Sequence, residues 1–572
     1  MRSTQALLRL AAALGLVAAL TLLGTVAGAA AQAPRAEVVR VPFPQDEGNL
    51  TPYTFELGYP LVTLIYDTVM WRDAAGVPRP WLARSVTRSP DGRRLRIRLR
   101  SGVRWHDGRP LTARDVAFTL RYVAENPHPR FTRQLADVEG VTTPDRATVV
   151  VSLRRPSLGF LDQPLADLPI LPEHVWGSLP PGRLAPTGRP VGSGPYRLTR
   201  HRRGASYTLR ANRGYFRGRP TVRTIQVPII RDAERTIRSL QQGRVDTVPV
   251  SLPEDTVRRV RGLGTRVARG PLYAGSVLLF NLRRPPFDRP EVRRAVAAAL
   301  DLGDIARRSG RTVPATRGYL HPASPWSSRE DLQDFDERRA SEALSDPALP
   351  PIRVLAPAND PQRVEAAREV VIALQRAGAQ ARQEVVPPER LARAVGQDGA
   401  TPTFEAAIWS SPPLASFDPA YLDVVFGPGG RLNYSGYRSS AFDRLADRVA
   451  SAPTPGARQV AVDRQLRLLA ADVPVVPLFF PEGAFAYRTG AHADWVYVKG
   501  SGILDKRSFL PGERKLSESA GVPDRPGASI SSRIGPLGIA ALALLALAAG
   551  AALSLLWRRV RRPPRGAPRQ RA

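Results

Sequence analysis

Cysteine is absent from all 572 residues, which excludes disulfides, thiolate metal sites and a lipid-bearing cysteine behind a leader. Lysine is nearly absent too. Of the 83 basic residues 80 are Arg and 3 Lys, a bias that reads as genome composition rather than as a dedicated binding face. Histidine is scarce: six residues stand singly at 106, 128, 174, 201, 321 and 492, with no i, i+4 pair, so no metal site is expected. Gly192-Ser193-Gly194 lacks the G-x-S-x-G nucleophile elbow, and neighbouring side chains such as His106-Asp107 cannot relay a proton as a triad does. Neither catalysis nor a cofactor is expected. No aromatic-basic stacking motif accompanies the formal charge of +32, so nucleic acid is not an expected partner.

Two terminal segments carry signals. Residues 1–33 read as a cleaved secretory signal, with Arg2 and Arg9 as the charged start, Leu10 to Leu23 as the apolar stretch and Ala31-Gln32-Ala33 as the cleavage site. Ile534 to Trp557 is uncharged and apolar. At about 1.5 Å per helical residue it is long enough to cross a hydrocarbon core of roughly 30 Å. Seven arginines between 558 and 571 follow it, which puts the tail at 558–572 on the cytoplasmic side and everything upstream outside. Residues 511–533 are rich in Gly, Pro and Ser and read as a flexible linker. The expected product is a single-pass membrane protein with an extracytoplasmic domain at 34–510, a length that calls for two or three lobes.

Inside that domain strand and helix signals alternate. Leu95, Ile97 and Leu99 interleave with Arg94, Arg96 and Arg98, the period of a half-buried strand. Thr112-x-x-Asp115 has the spacing of a capping box, and Val116, Leu120 and Val123 then share a helical face. Further strands are predicted at 148–153, 207–211, 225–230, 277–281, 352–356 and 404–409. Helices are predicted at 291–308, 364–375 and 440–449, the first from the stripe Val292, Ala295, Val296, Ala299 and Leu300. Such alternation argues for mixed α/β lobes.

Ordered blocks then resemble the family 5 extracellular solute-binding proteins, which include dipeptide, oligopeptide and nickel binders. They are Tyr66-Asp67-Thr68 with Pro80-Trp81-Leu82-Ala83, the run Gly102 to Val116 containing Trp105-His106-Asp107-Gly108, Gly192-Ser193-Gly194-Pro195-Tyr196, Asn212 to Pro220, and Gln242 to Asp246. Later ones are Pro285-Pro286-Phe287 through Ala299-Leu300-Asp301, Phe417-Asp418-Pro419, Asn433 to Tyr437, and Phe442-Asp443-Arg444-Leu445. The resemblance implies a class II, extended-type periplasmic-binding-protein-like α/β fold: two ligand-binding lobes with an extra small domain, closing on a ligand. By similarity lobe I takes about 34–57, 188–273 and 486–510, the extra domain about 58–187 and lobe III about 274–485. It further implies a monomer that captures a peptide or other small solute and delivers it to the permease subunits of an ABC importer. A membrane-tethered receptor without import is the alternative.

Most of the quoted motif residues read as scaffold, since Asp91-Gly92 and Asp107-Gly108 are tight-turn sequences. In peptide-binding members an aspartate shortly before the late Asp-Pro pair holds the peptide's α-ammonium. Here that position falls near Pro412 or Ala415, so the anchor is missing unless Asp418 replaces it. The candidate ligand residues are Tyr53, Trp409, Phe417, Asp418, Asn433 and Tyr434. Trp409 could stack on a ligand ring or fill a core, and Asp418 before proline is equally a turn starter.

Overall fold

The computed structural model describes residues 37–513, apart from 56, 129, 180–182, 184 and 263. The expected signal at 1–33, the apolar stretch 534–557, the tail and nearly all of the linker lie outside the described residues. Among the described residues no helix is long and apolar enough to cross a membrane.

Four sheets organise the chain. The first runs in the order Val38–Arg40, Thr224–Pro228, Ser206–Ala211, Tyr196–Arg202, its outer pair parallel and the rest antiparallel. Tyr196, Leu198, Tyr207, Leu209, Ile225 and Val227 alternate inward and meet Leu61, Leu64 and Ile65 of the helix Tyr59–Ile65. Trp495, Ile503 and Phe509 close the same core from the far end of the domain.

The second sheet is antiparallel, ordered Ala83–Arg88, Arg94–Leu99, Thr148–Leu153, Val138–Asp145. The period-two strand is where the alternation put it: Leu95 and Ile97 are fully buried, facing Val116, Leu120 and Val123 of the helix Ala113–Glu125. The helix starts on its capping box, the Thr112 backbone N–H donating to Asp115 Oδ2 at 2.8 Å. A two-stranded ribbon, Met70–Arg72 with Pro78–Pro80, lies beside this layer in sequence.

The third sheet has seven strands, with the path Thr265–Pro271, Val475–Arg488, Gly275–Phe280, Ala406–Ser411, Ile352–Pro357, Ala381–Val386, and Thr312–Pro314 paired to Val475–Arg488 off that path. Val475–Arg488 is 14 residues long, about 45 Å at strand rise. Its first part pairs with Gly275–Phe280 and its last part with Thr265–Pro271. Val476 and Leu478 therefore sit in the core of the third sheet while Phe485 and Tyr487 sit in the core of the first.

One predicted element needs correction. The stripe from 291 to 308 is two helices, Pro290–Ala299 and Leu302–Arg308. Leu300 is extended, and the Asp301 side chain accepts from the Asp304 N–H at 2.9 Å, starting a new helix. An aspartate cap of this kind competes directly with helix continuation.

Candidate functional site

Residues between 130 and 163, from the chain segment that carries the second sheet, and residues between 418 and 450, which lie between the strands Ala406–Ser411 and Val475–Arg488 of the third, face each other across a cavity of about 490 Å3. Arg130, Gln134, Arg155, Gly159 and Gln163 line one wall; Asp418, Tyr421, Arg431, Asp443 and Asp447 line the other. The walls touch at the rim. Arg155 bridges Asp137 on its own side (2.8 Å) and Asp447 on the facing side (3.0 Å), and Arg88 Nη2 donates to the Pro453 carbonyl at 2.8 Å. With Arg155 40% and Asp447 75% exposed, such a bridge is worth at most about 1 kcal/mol, a contact that can open and re-form.

The base of the cavity is built differently. Arg458 is wholly buried, and its Nη2 donates to Asp418 Oδ1 while its Nε donates to the Val449 carbonyl at 3.1 Å. Asp418 also accepts from the Ala420 N–H at 3.1 Å, capping the turn Pro419–Tyr421. The charge of Asp418 is thus met by a guanidinium and its geometry by a cap. Gly159 of the facing wall approaches so closely that a Cβ there would lie 2.8 Å from Asp418 Oδ2 and 3.0 Å from Arg458 Nη2. Beside this pair Asp162 accepts from Arg72 Nη1 at 2.9 Å. Burial pushes the Asp162 carboxyl up to about 6, against the pull of Arg72 and with the help of the Asp418 charge. Phe417 packs in the same junction, under the Arg72 guanidinium at 4.5 Å and 4.8 Å from the Tyr273 ring.

A smaller, more apolar chamber of about 220 Å3 lies on the other side of the short helix Leu422–Phe426, lined by Val277, Tyr319, Trp409, Pro412, Phe426 and Tyr434. Trp409 and Tyr434 meet edge to face at 5.7 Å. Asn433 next to them staples its own loop: Nδ2 donates to the carbonyls of Gly427 (3.0 Å) and Tyr437 (2.8 Å), and Oδ1 accepts from the N–H groups of Gly436 and Tyr437. Tyr53 lines neither cavity. Its hydroxyl donates to the Asn126 carbonyl at 2.8 Å within a cluster of Tyr122, His128 and Trp176. The structure therefore groups Trp409 with Tyr434, sets Phe417 and Asp418 at the junction of the walls, gives Asn433 to its loop and leaves Tyr53 apart. Gln134, Gln163, Arg155, Tyr421, Asp443 and Arg458 were not among the sequence candidates, although Asp443 stands inside a quoted motif.

The residues that invited a hydrolase reading form something else. Ser193 Oγ donates to Asp67 Oδ2 at 3.1 Å. Asp67 Oδ1 accepts from Trp81 Nε1, Tyr215 Oη and Lys506 Nζ at 2.8, 2.9 and 2.9 Å, with Asp67 and Lys506 both fully buried. His106 Nε2 donates to the Gly194 carbonyl and Nδ1 accepts from the Gly192 N–H. Burial pushes that imidazole down to about 4, so it is neutral with both nitrogens engaged. A Cβ at Gly192 would stand 1.9 Å from the Ile65 carbonyl oxygen, which is why glycine flanks Ser193 where two chain segments cross. Among the described residues no group of three His, Cys, Asp or Glu could hold a metal ion.

A family model described as bacterial extracellular solute-binding proteins, family 5 Middle, matches residues 77–432. Among curated proteins, the oligopeptide-binding protein AppA of Bacillus subtilis is 27% identical over 281 residues, 46% of this chain and 50% of that one. The dipeptide-binding protein of Escherichia coli is 26% identical over 293 residues, 47% and 55% of the two chains. The chain spans about half the length of the curated relatives it matches. Among solved structures, the ABC transporter substrate-binding protein CtaP of Listeria monocytogenes superposes with a TM-score of 0.75 at 20% identity, over 83% of this chain and 99% of that one. That likeness shows the α/β periplasmic-binding-protein fold.

Proposed function

Because the chain belongs to the bacterial extracellular solute-binding proteins of family 5, we propose that it is the extracytoplasmic substrate-binding component of an ABC importer. It captures a peptide or similar small solute between its walls and hands it to the permease. The observation that carries this reading is the cavity itself: lined mostly by charged and polar residues, roughly the size of a small ligand, and bridged at its rim by contacts between the segment that carries the second sheet and residues 447–453. In this reading an open form admits the ligand, the lobes close over it, and the ligand shifts the population by its preference for the closed state. We read residues 1–33 as the export signal and Ile534–Trp557, with the arginines behind it, as the anchor that keeps the domain at the outer membrane face. Support for both comes from the sequence alone.

The test is mass spectrometry of small molecules that co-purify with the full-length protein, followed by thermal shift with each one found. A specific ligand at 100 times its Kd adds about 2.7 kcal/mol of stability. If no solute co-purifies and none from a broad pool shifts the transition, the importer reading fails.

A further inference from the structure

At one end of the first sheet a separate cavity of about 380 Å3 is lined by Arg210, Arg213, Arg219 and Arg223, with Glu37 the one carboxylate among the described residues on its wall. Glu37 meets Arg223 at 3.3 Å, an exposed pair of little strength. The side chains of Arg210, Arg213 and Arg219 form no ion pair or hydrogen bond among the described residues. Arg210 also stands directly opposite Arg197 on the neighbouring antiparallel strand, where like charges repel. In the cavity between the walls, by contrast, Arg130 is met by Asp167 and Arg155 by Asp137 and Asp447. An arginine-rich composition supplies guanidiniums to both places, and this one is left short of anions.

The same cavity adjoins both ends of the described domain. Glu37 is the first described residue, and Thr221 on the cavity wall donates its N–H to the Phe509 carbonyl at 2.9 Å. Pro511 lies against Gly218, and Glu513, the last described residue, pairs with Arg217 at 3.8 Å. From there the sequence continues with Arg514-Lys515 and reaches the apolar stretch at Ile534 after residues 514–533. A flexible chain of that length spans about 25 Å root-mean-square. An anchor at 534–557 therefore keeps the arginine cavity within short reach of lipid headgroups.

Headgroup phosphates are anions concentrated at such a surface, and the guanidinium fork matches their oxygens in pairs. We infer that Arg210, Arg213, Arg219 and Arg223 dock this end of the domain on anionic lipid headgroups. The inference rests on reading 534–557 as the membrane anchor and adds to it an electrostatic attachment, which orients a domain that a flexible tether alone leaves free to turn.

The test uses the full-length protein in vesicles of phosphatidylcholine alone or of an equal mixture with phosphatidylglycerol. Because the chain has no cysteine, Gly214→Cys beside the cavity, where a Cβ meets nothing within 4 Å, takes a single dye; energy transfer to a headgroup-labelled lipid then reports docking. Transfer should be higher in the anionic vesicles and fall to the phosphatidylcholine level in high salt. Each arginine should raise the ratio of docked to undocked protein about fivefold, so the combined Arg210→Gln, Arg213→Gln and Arg219→Gln variant should lower it about a hundredfold. Equal transfer in both vesicles, insensitivity to salt, or a triple variant that behaves as wild type overturns the inference while the anchor reading stands. Equal transfer together with inorganic phosphate stabilising the wild type but not the triple variant assigns the cavity to a free anion and also overturns it. If the protein floats with neither kind of vesicle, the anchor reading and the inference fall together.

Discussion

Arg458→Met tests whether Asp418 belongs to the scaffold or to the ligand. The arginine side chain is fully buried and its partner 6% exposed, so removing the guanidinium leaves a carboxylate without its cation in a dry site. Breaking a buried pair from one side costs about 3–5 kcal/mol, whereas replacing both partners by neutral groups is far milder. Asp418→Asn alone should cost a comparable amount by orphaning Arg458, and the double variant should lose clearly less than the sum, a coupling of about 2 kcal/mol or more. Urea titration followed by tryptophan fluorescence suits the measurement, since the Trp326 ring lies 4.9 Å from the Arg458 guanidinium. Additive losses refute the reasoning. So does an Asp418→Asn protein of unchanged stability that no longer binds its ligand, because Asp418 would then face the solute.

Gly192→Ala places a Cβ 1.9 Å from the Ile65 carbonyl oxygen and should cost about 3 kcal/mol or more by overpacking, read as a lower urea midpoint; a midpoint within error of wild type contradicts the crossing described here. Asp162 gives a pH signature. Its folded carboxyl stands near 6 rather than 3.8, so the stability it allows is fully present below about pH 4 and is lost as pH rises through about 6, on the order of 3 kcal/mol at roughly 1.4 kcal/mol per unit. Asp162→Asn should flatten the stability profile between these limits, and an unchanged slope assigns the loss elsewhere. Deleting 534–572 should move the protein from the membrane pellet to the soluble extracytoplasmic fraction, and retention in the pellet argues against the anchor.

The elements most legible in the sequence were those whose signal is local. Leu95, Ile97 and Leu99 alternate because one face of their strand is wet, and Thr112 and Asp115 mark a helix start by chemistry confined to one turn. The stripe at 291–308 misled because apolar spacing continues across a break that a single capping aspartate enforces. Val475–Arg488 carries no alternation, being buried along nearly its whole length, and only its partners identify it as a strand. For the site, the resemblance directed attention to Trp409, Asp418 and Tyr434, all of which line the two chambers. It was silent on Arg458, which sits in a helix of mixed polarity, and on Gln134 and Gln163. Which side chains come to line a cavity depends on every neighbour in space, and no spacing rule encodes that.

The long strand Val475–Arg488 also bears on the order in which the chain can fold. It occupies the interior of the third sheet, between Thr265–Pro271 and Gly275–Phe280, and Trp495, Ile503 and Phe509 after it complete the core that begins at Val39. A nascent chain that stops at residue 470 has neither the strand that joins those two ladders nor the aromatic plug of the first core. The apolar faces of the first core then cannot close, because loop closure between distant segments must precede the contacts that reward it. The first core and the third sheet are thereby completed only when almost the entire domain has been synthesised, whereas the core of the second sheet, drawn from residues 69–170, is complete much earlier.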